Sequence, residues 1–110
     1  MKKIYNKLVR ALIPEIIMKS GSECKTKILT DEEYIEMLDM KLDEELSEYH
    51  KDKNIEELAD LTEVIFAVAK ARGYTLAKLE EVRRKKAEER GGFDGKILLI
   101  ETNSKENNGD

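Results

Sequence analysis

A chain of 110 residues suits one compact domain with a modest core. Its 24 acidic side chains against 20 Lys and Arg leave a formal charge of −4 with both signs interleaved, which excludes the basic stripe that grips a nucleic-acid polymer. The lone Cys24 excludes an internal disulfide, no Cys/His group has zinc spacing, and no apolar run approaches the roughly 20 residues of a membrane span.

The opening "MKKIYNKLVR" is basic but lacks the apolar stretch of a secretory signal, so a cytoplasmic protein is expected. Pro14 suits a helical first turn and predicts a short helix that Gly21 ends. "SECKTKIL" reads as a loop or a short extended piece. Thr30 with Glu33 three residues on forms a capping box, and the helix it opens should run to about Tyr49 or His50, where "HKDKN" breaks it. Asn54 stands in the same relation to Glu57 and opens a second long helix that stops at Gly73. Thr75 starts a third, "TLAKLEEVRRKKAEER", ended by Gly91 and Gly92. "KILLIE" has strand character. The expectation is an all-α helical bundle over residues 1–102, to which "KILLIE" could add a short C-terminal strand, with residues 103–110 as a disordered polar tail.

Residues 41–60, "KLDEELSEYHKDKNIEELAD", concentrate the acids. At 100° per residue, Tyr34, Leu38, Leu42 and Tyr49 make one apolar stripe on the first long helix. Glu45 falls inside that stripe, Glu48 along its border, and Glu44 further round. On the second long helix Glu57 shares a face with Leu61, Val64 and Val68, and Asp60 lies beside Val64 and Ala67, with Glu63 further round. Each helix thus offers a carboxylate pair at i, i+3. A short loop makes the helices antiparallel neighbours, so Glu45, Glu48, Glu57 and Asp60 should converge near the loop. Two like charges about 5 Å apart repel by roughly 3 kcal/mol at an effective dielectric near 20. Such a group demands protons or cations, and hard divalent ions with oxygen ligands fit it, Mg²⁺ above all. The competing explanation is a set of solvated helix faces, but matched pairs on two apolar faces weigh against it. A di-iron carboxylate centre fails because it needs Glu-x-x-His on two helices, and His50 is the chain's one histidine, two residues after Glu48.

Lys86 and Arg90 stand at i, i+4 near the end of the third long helix. They suit phosphate binding and a salt-bridged surface turn equally on spacing, and Arg10 in "KLVR" carries the same two readings. Cys24 has no base placed for it, and the tyrosines read as packing residues.

The pattern Glu44-Glu45-x-x-Glu48 followed by Glu57-x-x-Asp60 resembles the motif of the all-α nucleoside triphosphate pyrophosphohydrolases, which include MazG, the dimeric dUTPases and phosphoribosyl-ATP pyrophosphohydrolase. "YNKLVRALIPEII", "KLDEELSEY", "EELADLTEVIFAVA" and "ERGGF" together are similar to a small bacterial MazG-related branch. The resemblance implies a MazG-like helical core that forms a homodimer or homotetramer, and dependence on Mg²⁺, with Mn²⁺ as substitute. It further implies cleavage of a nucleoside triphosphate to monophosphate and pyrophosphate, with housecleaning of aberrant nucleotides as a role. It makes Glu45, Glu48, Glu57 and Asp60 the metal ligands and sets Lys86 and Arg90 against phosphates. Glu44 or Glu48 is then the candidate to accept a proton from the attacking water. The branch usually has Asp-Lys where this chain has Ala11-Leu12, and its spacer between the carboxylate pairs is often longer. The reading from another class is a helical nucleotide- or metal-binding dimer that regulates a partner without catalysis.

Overall fold

Four helices make up the regular structure of residues 1–104, the part of the chain described by the computed structural model: α1 (Ile13–Lys19), α2 (Asp31–Asp52), α3 (Ile55–Ala71) and α4 (Leu76–Arg90). Residues 105–110, most of the expected polar tail, lie outside the described residues. The fold is all-α. Two compact units divide it, Met1–Leu79 and the residues from Glu80 onward.

The helix ends follow local chemistry. Pro14 sits in the first turn of α1, where its missing N–H costs no hydrogen bond. At the other end the Gly21 N–H donates to the Met18 carbonyl at 3.0 Å and the Ser22 N–H to the Ile17 carbonyl at 3.3 Å, a Schellman pair that turns the chain through Gly21 at φ +96°. Thr30 and Glu33 exchange side-chain and backbone hydrogen bonds, the capping box expected at the start of α2. α2 continues past His50 to Asp52, and Lys53 in the left-handed region at φ +50° closes it. At α3 the cap is one-sided: the Asn54 side chain accepts from the Glu57 N–H at 3.0 Å. A second Schellman pair, Gly73 N–H to Lys70 and Tyr74 N–H to Ala69, ends α3 at Gly73, φ +89°.

In the first unit α2 and α3 form a hairpin across the two-residue link Lys53–Asn54. They run antiparallel, since Arg72 at the end of α3 pairs with Asp39 early in α2 while Glu57 at the start of α3 meets Glu48 late in α2. Leu38, Val64 and Ala69 are buried between them, flanked by half-buried Leu42, Leu61, Ala67 and Val68. α3 is less covered than a central helix should be. Ile55, Leu58 and Ile65 stay 76%, 41% and 40% exposed, because one partner helix can cover only part of an apolar circumference. The irregular residues before α1 reach the hairpin through Lys7 and Arg10.

The second unit holds the later turns of α4, all exposed, and residues 91–104 without regular structure. The strand expected in "KILLIE" does not form among the described residues. A strand exists through hydrogen bonds to a neighbouring strand, and no other described segment is extended into one. Ile97, Leu98, Leu99 and Ile100 instead stand exposed.

Candidate metal centre

The hairpin loop gathers five carboxylates. α2 supplies Glu45, Glu48 and Asp52, which fall one turn apart along its last turns; α3 supplies Glu57 and Asp60 from its first two. Glu45, Glu57 and Asp60 place one oxygen each within 4.8 Å of one another, and so do Glu48, Asp52 and Glu57. The expected ligands therefore divide between two triads that share Glu57. Asp52 is the member that spacing reasoning left out. Its signal was the i, i+4 step from Glu48, masked by the expectation that α2 ends two or three residues earlier.

Charge and burial vary across the cluster. The Glu45 side chain is 12% exposed, as its place in the apolar stripe requires, and Lys41 on the preceding turn approaches it at 3.3 Å. Asp60 is met by Arg10, Nη2 to Oδ1 at 2.7 Å. Glu57 has no cation against it among the described residues. Loss of water contact, then the negative charges of Asp60, Asp52, Glu48 and Glu45, push its carboxyl above the usual range.

Glu44 differs. It lies outside both triads, accepting from Lys7 Nζ at 2.9 Å and Lys41 Nζ at 3.1 Å. The Lys7 hydrogen bond, opposed by partial burial and reinforced by Lys41, holds its carboxyl below the ordinary value, and Lys7 is raised in return. A carboxylate so paired is a weak proton acceptor.

The donor set is all oxygen, with neither His50 nor Cys24 in it. That chemistry fits a hard divalent cation such as Mg²⁺ or Mn²⁺ and disfavours the softer metals that select imidazole or thiolate. The two triads have one member in common, Glu57. Arg10 is brought to the cluster, against Asp60. Lys86 and Arg90 belong to the second unit, both exposed on α4, while the cluster is built wholly from the first. Ala11 and Leu12 lie beside Arg10 in the chain and are exposed, Leu12 by 66%. No family model matches the chain, and comparison with curated proteins and with solved structures returns no match.

Proposed function

We propose that this protein is a Mg²⁺-dependent nucleoside triphosphate pyrophosphohydrolase, cleaving an NTP or dNTP to the monophosphate and pyrophosphate. The observation that carries the reading is the pair of carboxylate triads meeting at Glu57, together with the motif resemblance of Glu44-Glu45-x-x-Glu48 and Glu57-x-x-Asp60.

Glu45, Glu57 and Asp60 would hold one ion, and Glu48, Asp52 and Glu57 a second. When bound, the metal supplies charge neutralisation of the phosphates and acidifies water for attack on phosphorus. Between the two proton acceptors suggested by the sequence, Glu48 is the better placed, because Lys7 and Lys41 hold Glu44 ionised. Glu44 instead positions Lys7 and Lys41 beside the cluster. Arg10 is the first-unit candidate for a phosphate contact, its side chain 57% exposed. Lys86 and Arg90 enter the proposal through the resemblance alone.

Self-association belongs to the same reading. The uncovered Ile55, Leu58 and Ile65 on α3 suit helix pairing across a two-fold axis, giving a homodimer or homotetramer.

Phosphate release from added inorganic pyrophosphatase, followed across NTPs and dNTPs with Mg²⁺, tests the activity. Turnover that needs Mg²⁺ and is lost in Glu57→Gln supports it. One observation favours the second reading, a non-catalytic nucleotide- or metal-binding dimer: Ala11 and Leu12 bring no charge to the segment that carries Arg10 to the cluster. Nucleotide binding with Mg²⁺ and no turnover of any triphosphate would establish that alternative and end the first.

A further inference from the structure

We propose that Arg10 is a built-in counter-ion of the carboxylate cluster, displaced from Asp60 by the divalent cation that the cluster takes up. The inference rests on the metal reading of the two triads and adds to it a competition between cation and side chain. Arg10 Nη2 lies 2.7 Å from Asp60 Oδ1, across 50 residues of sequence. Asp60 is a member of the triad with Glu45 and Glu57. A guanidinium so placed occupies lone pairs that an ion needs and sets a positive charge against an incoming one.

The cations around the cluster differ in how freely they can leave. Lys41 is 17% exposed and fixed on α2, one turn from both of its partners, Glu44 and Glu45. Arg10 comes from the irregular segment before α1, and its side chain is already 57% exposed. Returning it to water therefore costs little beyond an exposed ion pair. Lys7 tethers the same segment to Glu44, which is outside both triads and so keeps its partner when an ion binds. Cation uptake thus breaks one of the segment's two ion pairs with the hairpin and spares the other. The residues from Val9 to Leu12 loosen while Lys7 stays on Glu44 and half-buried Leu8 stays in the groove it lines with Met37 and Met40, so cation occupancy of the hairpin is transmitted to the turn before α1.

Two readouts test this on the full chain. Free Mn²⁺, followed by electron paramagnetic resonance, gives binding to wild type, Arg10→Gln, Arg72→Gln and Glu45→Gln. Mass-spectrometric amide exchange over residues 1–13, where the Ile13 N–H donates to the Arg10 carbonyl at 3.0 Å, gives the state of the segment with and without Mg²⁺. Arg72→Gln removes the same charge from the pair with Asp39 at the remote end of the hairpin and controls for net charge. Arg10→Gln should bind Mn²⁺ about two- to fivefold tighter than wild type, the ratio an exposed ion pair is worth, with Arg72→Gln unchanged. Exchange before α1 should rise with Mg²⁺ in wild type and be raised already in metal-free Arg10→Gln. Binding lost in Glu45→Gln but equal or weaker in Arg10→Gln keeps the metal centre and overturns the counter-ion. An Arg72→Gln that gains as much as Arg10→Gln also overturns it, as a net-charge effect. Absence of Mn²⁺ binding in both wild type and Arg10→Gln overturns both.

Discussion

The two ends of the α2/α3 hairpin are built from the same helices and reach opposite electrostatic outcomes. Remote from the loop, Asp39 meets Arg72 at 3.3 Å, and the apolar contacts of Leu38 and Ala69 lie close by in sequence. One acid faces one base, and the end is complete within the chain. Beside the loop, Glu45, Glu48, Asp52, Glu57 and Asp60 gather with Arg10 and Lys41 as their cations. Two positive charges cannot balance five negative ones at such spacing. An exposed pair such as Asp39–Arg72 is worth about 0.2–1 kcal/mol. Unbalanced carboxylates at such spacing repel one another. On the metal reading proposed above, an exogenous cation offsets that repulsion.

If the loop end is a catalytic metal centre and the remote end a structural pair, substitutions should separate them sharply. Glu57→Gln removes the shared ligand of both triads and should lower Mg²⁺-dependent triphosphate hydrolysis by about a hundredfold or more, on the order of 3 kcal/mol of transition-state stabilisation. Arg72→Gln should leave the rate within about twofold and cost less than roughly 1 kcal/mol in denaturant unfolding. Equal losses in the two variants would erase the distinction.

The segment between the centre and α1 sharpens the comparison. Ala11 and Leu12 are exposed, so Ala11→Asp with Leu12→Lys should fold normally. A charge-assisted hydrogen bond is worth roughly 1.5 to 3 kcal/mol. Realised in the transition state, it should raise hydrolysis at least about tenfold, with the response of the melting temperature to metal unchanged. A flat rate would make positions 11 and 12 neutral.

Metal-free stability should carry opposite pH signatures at Glu57 and Glu44. The folded pKa of Glu57 is raised, so its contribution is fully present below the unfolded value and is lost as pH rises through the folded one. That of Glu44 is lowered by Lys7, so its contribution is present above the unfolded value and is lost as pH falls through the folded one. Melting temperatures across the carboxylate range should therefore fall less steeply with rising pH in Glu57→Gln than in wild type. Glu44→Gln should reduce the loss on acidification. Saturating Mg²⁺ should remove the Glu57 effect, and identical profiles in wild type and Glu57→Gln would contradict it.

Much of this architecture was legible because it is local. Thr30 with Glu33, Asn54 before Glu57, and Gly21 and Gly73 at the helix ends act within a few residues, and each behaves as its chemistry dictates. The gathering of Glu45, Glu48, Glu57 and Asp60 beside the loop was legible from the 3.6-residue period. Asp52 was not, because α2 persists until Lys53 adopts a positive φ, an ending no glycine announces. The Arg10–Asp60 pair joins residues 50 apart and depends on how an irregular segment is laid down, which no periodicity encodes. "KILLIE" has the residues of a strand, but a strand is a property of two segments, and among the described residues the second is missing.

Melting wild type and Glu45→Gln against a titration of Mg²⁺ tests whether the cluster at the loop holds a divalent cation. The Glu45 side chain is 12% exposed against 42% for Asp60, and its amide isostere keeps the shape while removing the charge. At a hundred times the dissociation constant, binding to the folded state adds about 2.7 kcal/mol, which for a domain of this size is on the order of 10 °C. That rise is expected in wild type, with little or none in Glu45→Gln. An equal rise in both, or none in either, would contradict the metal centre.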